Sequence, residues 1–146
     1  MESQINSNQT NKKIKLDFKE SKYATGRRKK SIAKVWTKKG SGNFYVNGKK
    51  MHEYFHKANL RIAILRPLTI SKRENEYDVR CSVKGGGLTG QAGAIIHGLS
   101  RTLVLYEPDL KSTLKKEKLT TRDSRAVERK KYGRKKARKS FQFSKR

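Results

Sequence analysis

The chain reads as an α+β protein: a small mixed sheet with helices packed on one face, followed by a long, extended basic C-terminal tail. Three observations carry that reading. Strand-like segments fill the first half and helix-like segments the second, the order expected when helices segregate to one side of a sheet. Tyr77 to Lys84 alternates strictly, with Tyr77, Val79, Cys81 and Val83 on one side and Asp78, Arg80, Ser82 and Lys84 on the other. Residues 125–146 hold eleven Lys/Arg against one acid, Glu128, so this run must stay solvated and cannot build a core.

The elements follow in order. Residues 1–22 are polar, hold five Lys and three acids, and read as a flexible lead. They contain neither an apolar signal core nor the arginines of a transit peptide. Thr25 to Lys30 opens the ordered body with four consecutive cations. Ile32 to Thr37 reads as a strand, Gly40-Ser41-Gly42 as a turn and Phe44 to Val46 as a second strand closed by Asn47-Gly48, so the two strands suggest a hairpin. Met51 to Phe55 suggests a short helix. Leu60, Ala63 and Ile64 keep helical spacing until Pro67 stops them, and Leu68 to Ser71 reads as a third strand. Lys72 to Glu76 is a charged turn before the strand at Tyr77 to Lys84. The longest helix runs from about Gln91 to Tyr106, with Ala92, Ile95, Ile96, Leu99, Leu103 and Tyr106 as its apolar stripe. Pro108 takes a helix-opening position, with Leu110 and Leu114 on a short further helix. The domain reading is therefore an extension (1–22), a body (23–121) and a tail (122–146).

Net charge is +26 over 146 residues, and apolar residues make up only 33%. The core must be small and drawn mostly from residues 31–106, with stability that leans on a partner. Charge sits on body and tail alike, which suits a protein embedded in nucleic acid better than one docked through a single patch. No stretch is apolar enough to span a bilayer, and no long basic amphipathic helix suggests a membrane surface. The single cysteine, Cys81, excludes an intramolecular disulfide, fits a reducing compartment and reads as a core residue.

Several constellations could carry chemistry. His52-Glu53-Tyr54-Phe55-His56 matches the helical zinc-hydrolase pattern, in which both histidines share a face. The segment is short, has no third ligand at a recognisable spacing and lacks room for a cleft, so the pattern reads as a chance match. Gly85 to Gly90 spells G-x-G-x-x-G between a strand and a helix. No second strand ends in an acid about 20 residues on, so a dinucleotide fold does not fit. The glycines Gly85, Gly86 and Gly87 either let backbone amides at the helix start approach a phosphate, or simply pack loop against helix. Gly26 with Arg27, Arg28, Lys29 and Lys30 reads as a phosphate clamp, with a charged strand end as the plain alternative. His97 and Arg101 fall off the apolar stripe and either reach phosphate or are solvated. In the tail, Arg125, Arg129, Lys130, Lys131, Arg134, Lys135, Lys136, Arg138 and Lys139 supply charge. Tyr132, Phe141 and Phe143 supply faces for bases or sugars. No nucleophile–base pair or paired-carboxylate site is present, so an enzyme is not expected and no cofactor or metal is called for.

Three motifs, in order, resemble one family. They are Tyr23-Ala24-Thr25-Gly26-Arg27-Arg28-Lys29-Lys30-Ser31, then Gly85 to Ala94 with His97-Gly98 and Ser100-Arg101, then Arg122-Asp123-Ser124-Arg125 with Glu128 to Gly133 and the Ser140 to Arg146 ending. The chain from about Tyr23 onward resembles the ninth small-subunit ribosomal protein in its bacterial and organellar form. The resemblance implies a body related to the second domain of the fifth small-subunit protein. It implies binding to 16S-type rRNA in the subunit head, beside neighbouring head proteins, with Gln91 and Arg122 joining the rRNA-binding residues. The tail would thread toward peptidyl-site tRNA, where Ser144, Lys145 and Arg146 would meet the anticodon stem-loop; an extended chain of that length spans about 70 Å. A bacterial cytoplasm, or alternatively a mitochondrial matrix, is the expected location, with no membrane or small-molecule partner. The chain departs from the family at His56-Lys57-Ala58-Asn59, where a proline is expected. A zinc hydrolase and a free nucleic-acid chaperone are the rival readings.

Overall fold

The structure is a computed structural model and describes residues 19–144, so residues 1–18 of the polar lead, and Lys145 and Arg146, lie outside the described residues. One sheet holds β1 (Lys22–Arg28), β2 (Ser31–Lys39), β3 (Phe44–Val46), β4 (Lys49–Lys50) and β5 (Tyr77–Lys84), in the spatial order β1-β2-β5-β3-β4. Only β3 and β5 pair in parallel; the other neighbours are antiparallel. The helices are α1 (Met51–Tyr54), α2 (Ala58–Ile70), α3 (Leu88–Tyr106) and α4 (Leu110–Lys116). The expected α+β architecture, a sheet with helices on one face, is what the structure has.

The core forms where the inward residues of the sheet meet α3. Ala33, Val35, Phe44, Val46, Tyr77, Val79, Cys81 and Val83 come from the sheet; Ile95, Leu99 and Leu103 come from α3. The alternation of β5 places Tyr77, Val79, Cys81 and Val83 inside as expected. Burial pushes the Cys81 thiol pKa up, consistent with a packing role. Two polar groups inside the core are paired, Thr37 Oγ1 with Thr102 Oγ1 at 2.9 Å. Tyr77 donates to Glu107 at 3.0 Å, and burial together with that carboxylate pushes its phenol up to about 12.

Several sequence expectations are corrected. The first strand is β1, which the reading of 25–30 as a bare cationic opening missed: its inward residues are only Ala24 and Gly26, so it carries no apolar alternation. The strands at 32–37 and 44–46 do not form a hairpin, because β5 lies between them. Asp78 anchors the loop that separates them, its Oδ1 accepting from Ser41 N at 3.0 Å and Asn43 N at 2.8 Å. Asn47-Gly48 does make a tight turn, with φ of 50° and 83°, but it joins β3 to β4.

Pro67 does not stop its helix, and Leu68 to Ser71 is not a strand; α2 continues to Ile70. An interior proline costs about 3 kcal/mol. Ile64, Pro67 and Leu68 recur at helical spacing and are all buried, and each large apolar side chain contributes about 1.5–3 kcal/mol by burial, so packing outweighs the break. Ser71 then closes the helix, its Oγ donating to Pro67 O at 2.9 Å. Finally, α3 begins at Leu88, three residues before expected, and Pro108 lies one residue before the N-cap Asp109 rather than on the first turn of α4.

Candidate nucleic-acid interface

Two features of the fold gather cationic residues and exposed backbone in one region. The first is the junction of the β1–β2 turn with the start of α3. Lys29, at φ 51°, and Lys30 form the turn and are exposed. They line an open pocket of about 400 Å³ together with Ser31, Gly86, Gly87, Leu88, Thr89 and Gly90, and the tail residues Ala126 and Val127 complete it. The pocket contains no acidic residue.

The loop that makes this pocket is held from below. Gly85 and Gly86 take φ of 73° and 62°, a region that favours glycine. Ser31 Oγ donates to Gly85 O at 3.0 Å, and Gln91 Nε2 donates to the same oxygen at 3.2 Å. Gln91 Oε1 in turn accepts from Tyr54 at 2.8 Å. Gln91, expected as an RNA ligand, therefore spends both ends of its amide holding the loop. No side chain caps α3, so its first-turn amides have no intrahelical acceptor and face the pocket end of the helix. Two lysines and a helix start with unused N–H groups make an arrangement suited to phosphate.

Other expected ligands have structural work. Gly26 is buried, with an added Cβ only 1.9 Å from Ala94 O, so it lets β1 lie against α3 and is not open to a phosphate. His97 Nδ1 accepts from Arg27 N at 3.3 Å, and Arg101 donates to Thr25 O at 2.7 Å. Both cap the free edge of β1, where unpaired backbone groups would otherwise be exposed. Burial and the nearby Arg101 lower the His97 pKa, which keeps the ring neutral and its Nδ1 available as an acceptor. Of the clamp, Arg27, Lys29 and Lys30 remain exposed.

Arg28 has a different task, because it ties down the root of the tail. Its guanidinium lies 3.0 Å from Asp123 and donates to Arg125 O at 3.0 Å. Asp123 also accepts from Arg125 N at 2.9 Å and from its guanidinium at 2.8 Å. The Arg125 side chain, with its backbone N–H, holds the Asp123 carboxyl well below the usual carboxylate range. The clasp is thus complete above the ordinary carboxylate pKa and opens only in strong acid. The sequence marks Asp123 only as part of the Arg122-Asp123-Ser124-Arg125 motif and not as a partner of Arg28, since only folding brings β1 beside it. Asp123→Ala is expected to raise the rate of tryptic cleavage at Arg122 and Arg125 several-fold, with no change in melting temperature; equal rates would rule the clasp out.

The second feature is the tail itself. From Arg122 to Ser144 it contains no regular element, and its cations at 122, 125, 129–131, 134–136, 138 and 139 are exposed. Tyr132, Phe141 and Phe143 are 97%, 64% and 88% exposed, so their rings add nothing to the core. The tail is not fully extended as expected. Glu128 pairs with Lys131 at 3.0 Å and Arg138 at 2.9 Å, Arg134 donates to Arg138 O at 2.9 Å, and Gly133 turns at φ 65°. The sole acid of the run thus folds residues 128–140 into a loop, and the reach falls short of the extended estimate.

The zinc pattern does not assemble. α1 ends at Tyr54, so His56 lies beyond the helix and shares no face with His52. Among the described residues no three His, Cys, Asp or Glu side chains are grouped to hold a metal. With this geometry established, comparison with known families gives one finding: a family model described as ribosomal protein S9/S16 matches residues 26–146.

Proposed function

Because the chain belongs to the ribosomal protein S9/S16 family, and so has a non-enzymatic, RNA-binding role in the ribosome, we propose a specific place for it in translation. It binds 16S-type rRNA in the head of the small subunit, among neighbouring head proteins, and its tail supports peptidyl-site tRNA. The observation that carries this reading is the tail. It leaves the body at a clasped root, contributes none of its described residues to the core, and presents cations with exposed aromatic rings. Such a strand neutralises phosphate without reading sequence, which suits contact with every tRNA in turn. The pocket at Lys29, Lys30 and Gly86 to Gly90 takes an rRNA phosphate and fixes the body, while the exposed tail cations follow the RNA backbone.

Ser144, Lys145 and Arg146 are the tRNA contacts in this reading, since they lie past the aromatic residues Phe141 and Phe143. Deleting these three residues is expected to leave subunit assembly intact. Retention of peptidyl-site tRNA, followed by filter binding on reconstituted subunits, should fall about tenfold, as two lost charge contacts imply. Equal retention by mutant and wild-type subunits would end the proposal for the tail tip.

A further inference from the structure

The sheet face opposite the helices carries a continuous row of side chains. Tyr23 pairs with Trp36, Trp36 with Arg80, and Arg80 with Tyr45, so four neighbouring strands each give one residue to the row. The Tyr23 and Trp36 rings lie 5.2 Å apart, and the Arg80 guanidinium sits 5.9 Å from the Trp36 ring centroid. Tyr23 is 44% exposed and Arg80 is exposed. Strand spacing sets successive members of the row about 4.8 Å apart.

The charge of this face is one-sided. Lys34 and Lys84, one and two steps along the strands from the row, are exposed on the same side. The only acid among the strand residues of that side, Asp78, is buried and accepts from the backbone N–H groups of Ser41 and Asn43. Cross-strand contacts of this kind stabilise a sheet. They do not account for two adjoining rings, tilted by 38° and at least partly open, beside an exposed guanidinium, with no exposed acid among the strand residues of that side.

We propose that this face is a second RNA-binding surface, which takes an unpaired stretch of RNA by stacking its bases on Tyr23, Trp36 and Tyr45. The stretch lies across the strands, with Arg80 stacking or pairing with phosphate and Lys34 and Lys84 neutralising the backbone. Aromatic side chains on a sheet recognise single strands in this way because every base has a face to offer. Duplex RNA hides its bases and gains only the lysines. The surface is distinct from the glycine-loop pocket and the tail, and it rests on the RNA-binding reading above for its polyanion.

Trp36 is the only tryptophan of the chain, so its emission reports this face by itself. The full-length protein is titrated with an end-labelled unpaired RNA of about 12 nucleotides and with a blunt duplex of the same length. Label anisotropy follows binding anywhere on the protein, and Trp36 emission follows the face. Both RNAs are expected to bind, and only the unpaired one to quench Trp36. Tyr45→Ser with Arg80→Ser should weaken the unpaired RNA about tenfold and the duplex less than about twofold. Saturated anisotropy with unchanged emission would overturn the surface while leaving the ribosomal reading intact. No binding of either RNA would overturn both. Emission that RNA leaves alone but RNA-free small-subunit proteins shift would make the face a protein-docking surface, which also overturns the proposal.

Discussion

A chain ending at residue 121 is expected to bind rRNA at least about a hundredfold more weakly than the full chain at low salt, while folding as well. Residues 122–146 hold twelve Lys/Arg and two acids, so the cut lowers the net charge from +26 to +16. Each phosphate neutralised adds about 0.7–0.9 to the slope of log affinity against log salt. If six to eight of the twelve cations engage phosphate, the slope should fall by about 4–7 on truncation. The fold should survive because, among the described residues, the last fully buried side chain is Leu114, and the tail touches the body mainly through the Arg28 clasp and the rim of the glycine-loop pocket. Titrations at several salt concentrations, with thermal melting alongside, decide the matter. An unchanged slope would mean that the body, and not the tail, carries the electrostatic binding. A collapsed melt would mean that the tail is part of the fold.

The local pattern of the sequence made the helix-facing sheet and the long helix readable, and long-range pairing did not. β5 and α3 announce themselves because each presents one apolar side at its own period, which is a property of 8 adjacent residues in β5 and 19 in α3. β1 is silent for the opposite reason. Its inward positions are Ala24 and Gly26, chosen for thinness where the helix comes close, so the usual strand signal is missing. Strand order could not be read, since nothing local to 32–46 says that β5 will lie between its two strands.

The site divides in the same way. Lys29, Lys30 and the glycine loop were legible as a cationic turn and a phosphate-sized loop, and the structure brings them to one pocket. Arg28, Gln91, His97 and Arg101 were legible as polar residues but not as structural ones. Their partners Asp123, Tyr54, Arg27 N and Thr25 O stand from 37 to 95 residues away in the chain. The open-face row is a product of register alone, with Tyr23, Trp36, Arg80 and Tyr45 drawn from four strands.

Gly26 is where the two kinds of reading conflict, and one substitution separates them. As a phosphate contact, Gly26→Ala would weaken RNA binding and leave the melting temperature alone. As a packing residue it should do the reverse of that in order of cause. An added Cβ would sit 1.9 Å from Ala94 O and 2.4 Å from Gly98 N, both backbone atoms of a helix that cannot yield as a side-chain tip can. β1 would have to lift from α3, straining the bonds from Arg27 N to His97 and from Arg101 to Thr25 O. Overpacking of this kind costs about 3 kcal/mol or more, which lowers the melting temperature of a domain of this size by about 12 °C or more. Gly87→Ala is the matched control. Gly87 has nothing within 4 Å of an added Cβ and a φ of −109°, so it should melt with the wild type, within about 3 °C. It lies in the pocket, however, and a methyl group there should hinder phosphate approach. The expected pattern is therefore crossed: stability lost first at Gly26, RNA affinity lost with stability intact at Gly87. If Gly26→Ala melted with the wild type and bound RNA weakly, β1 would be a phosphate strand after all, and its close packing on α3 would be incidental.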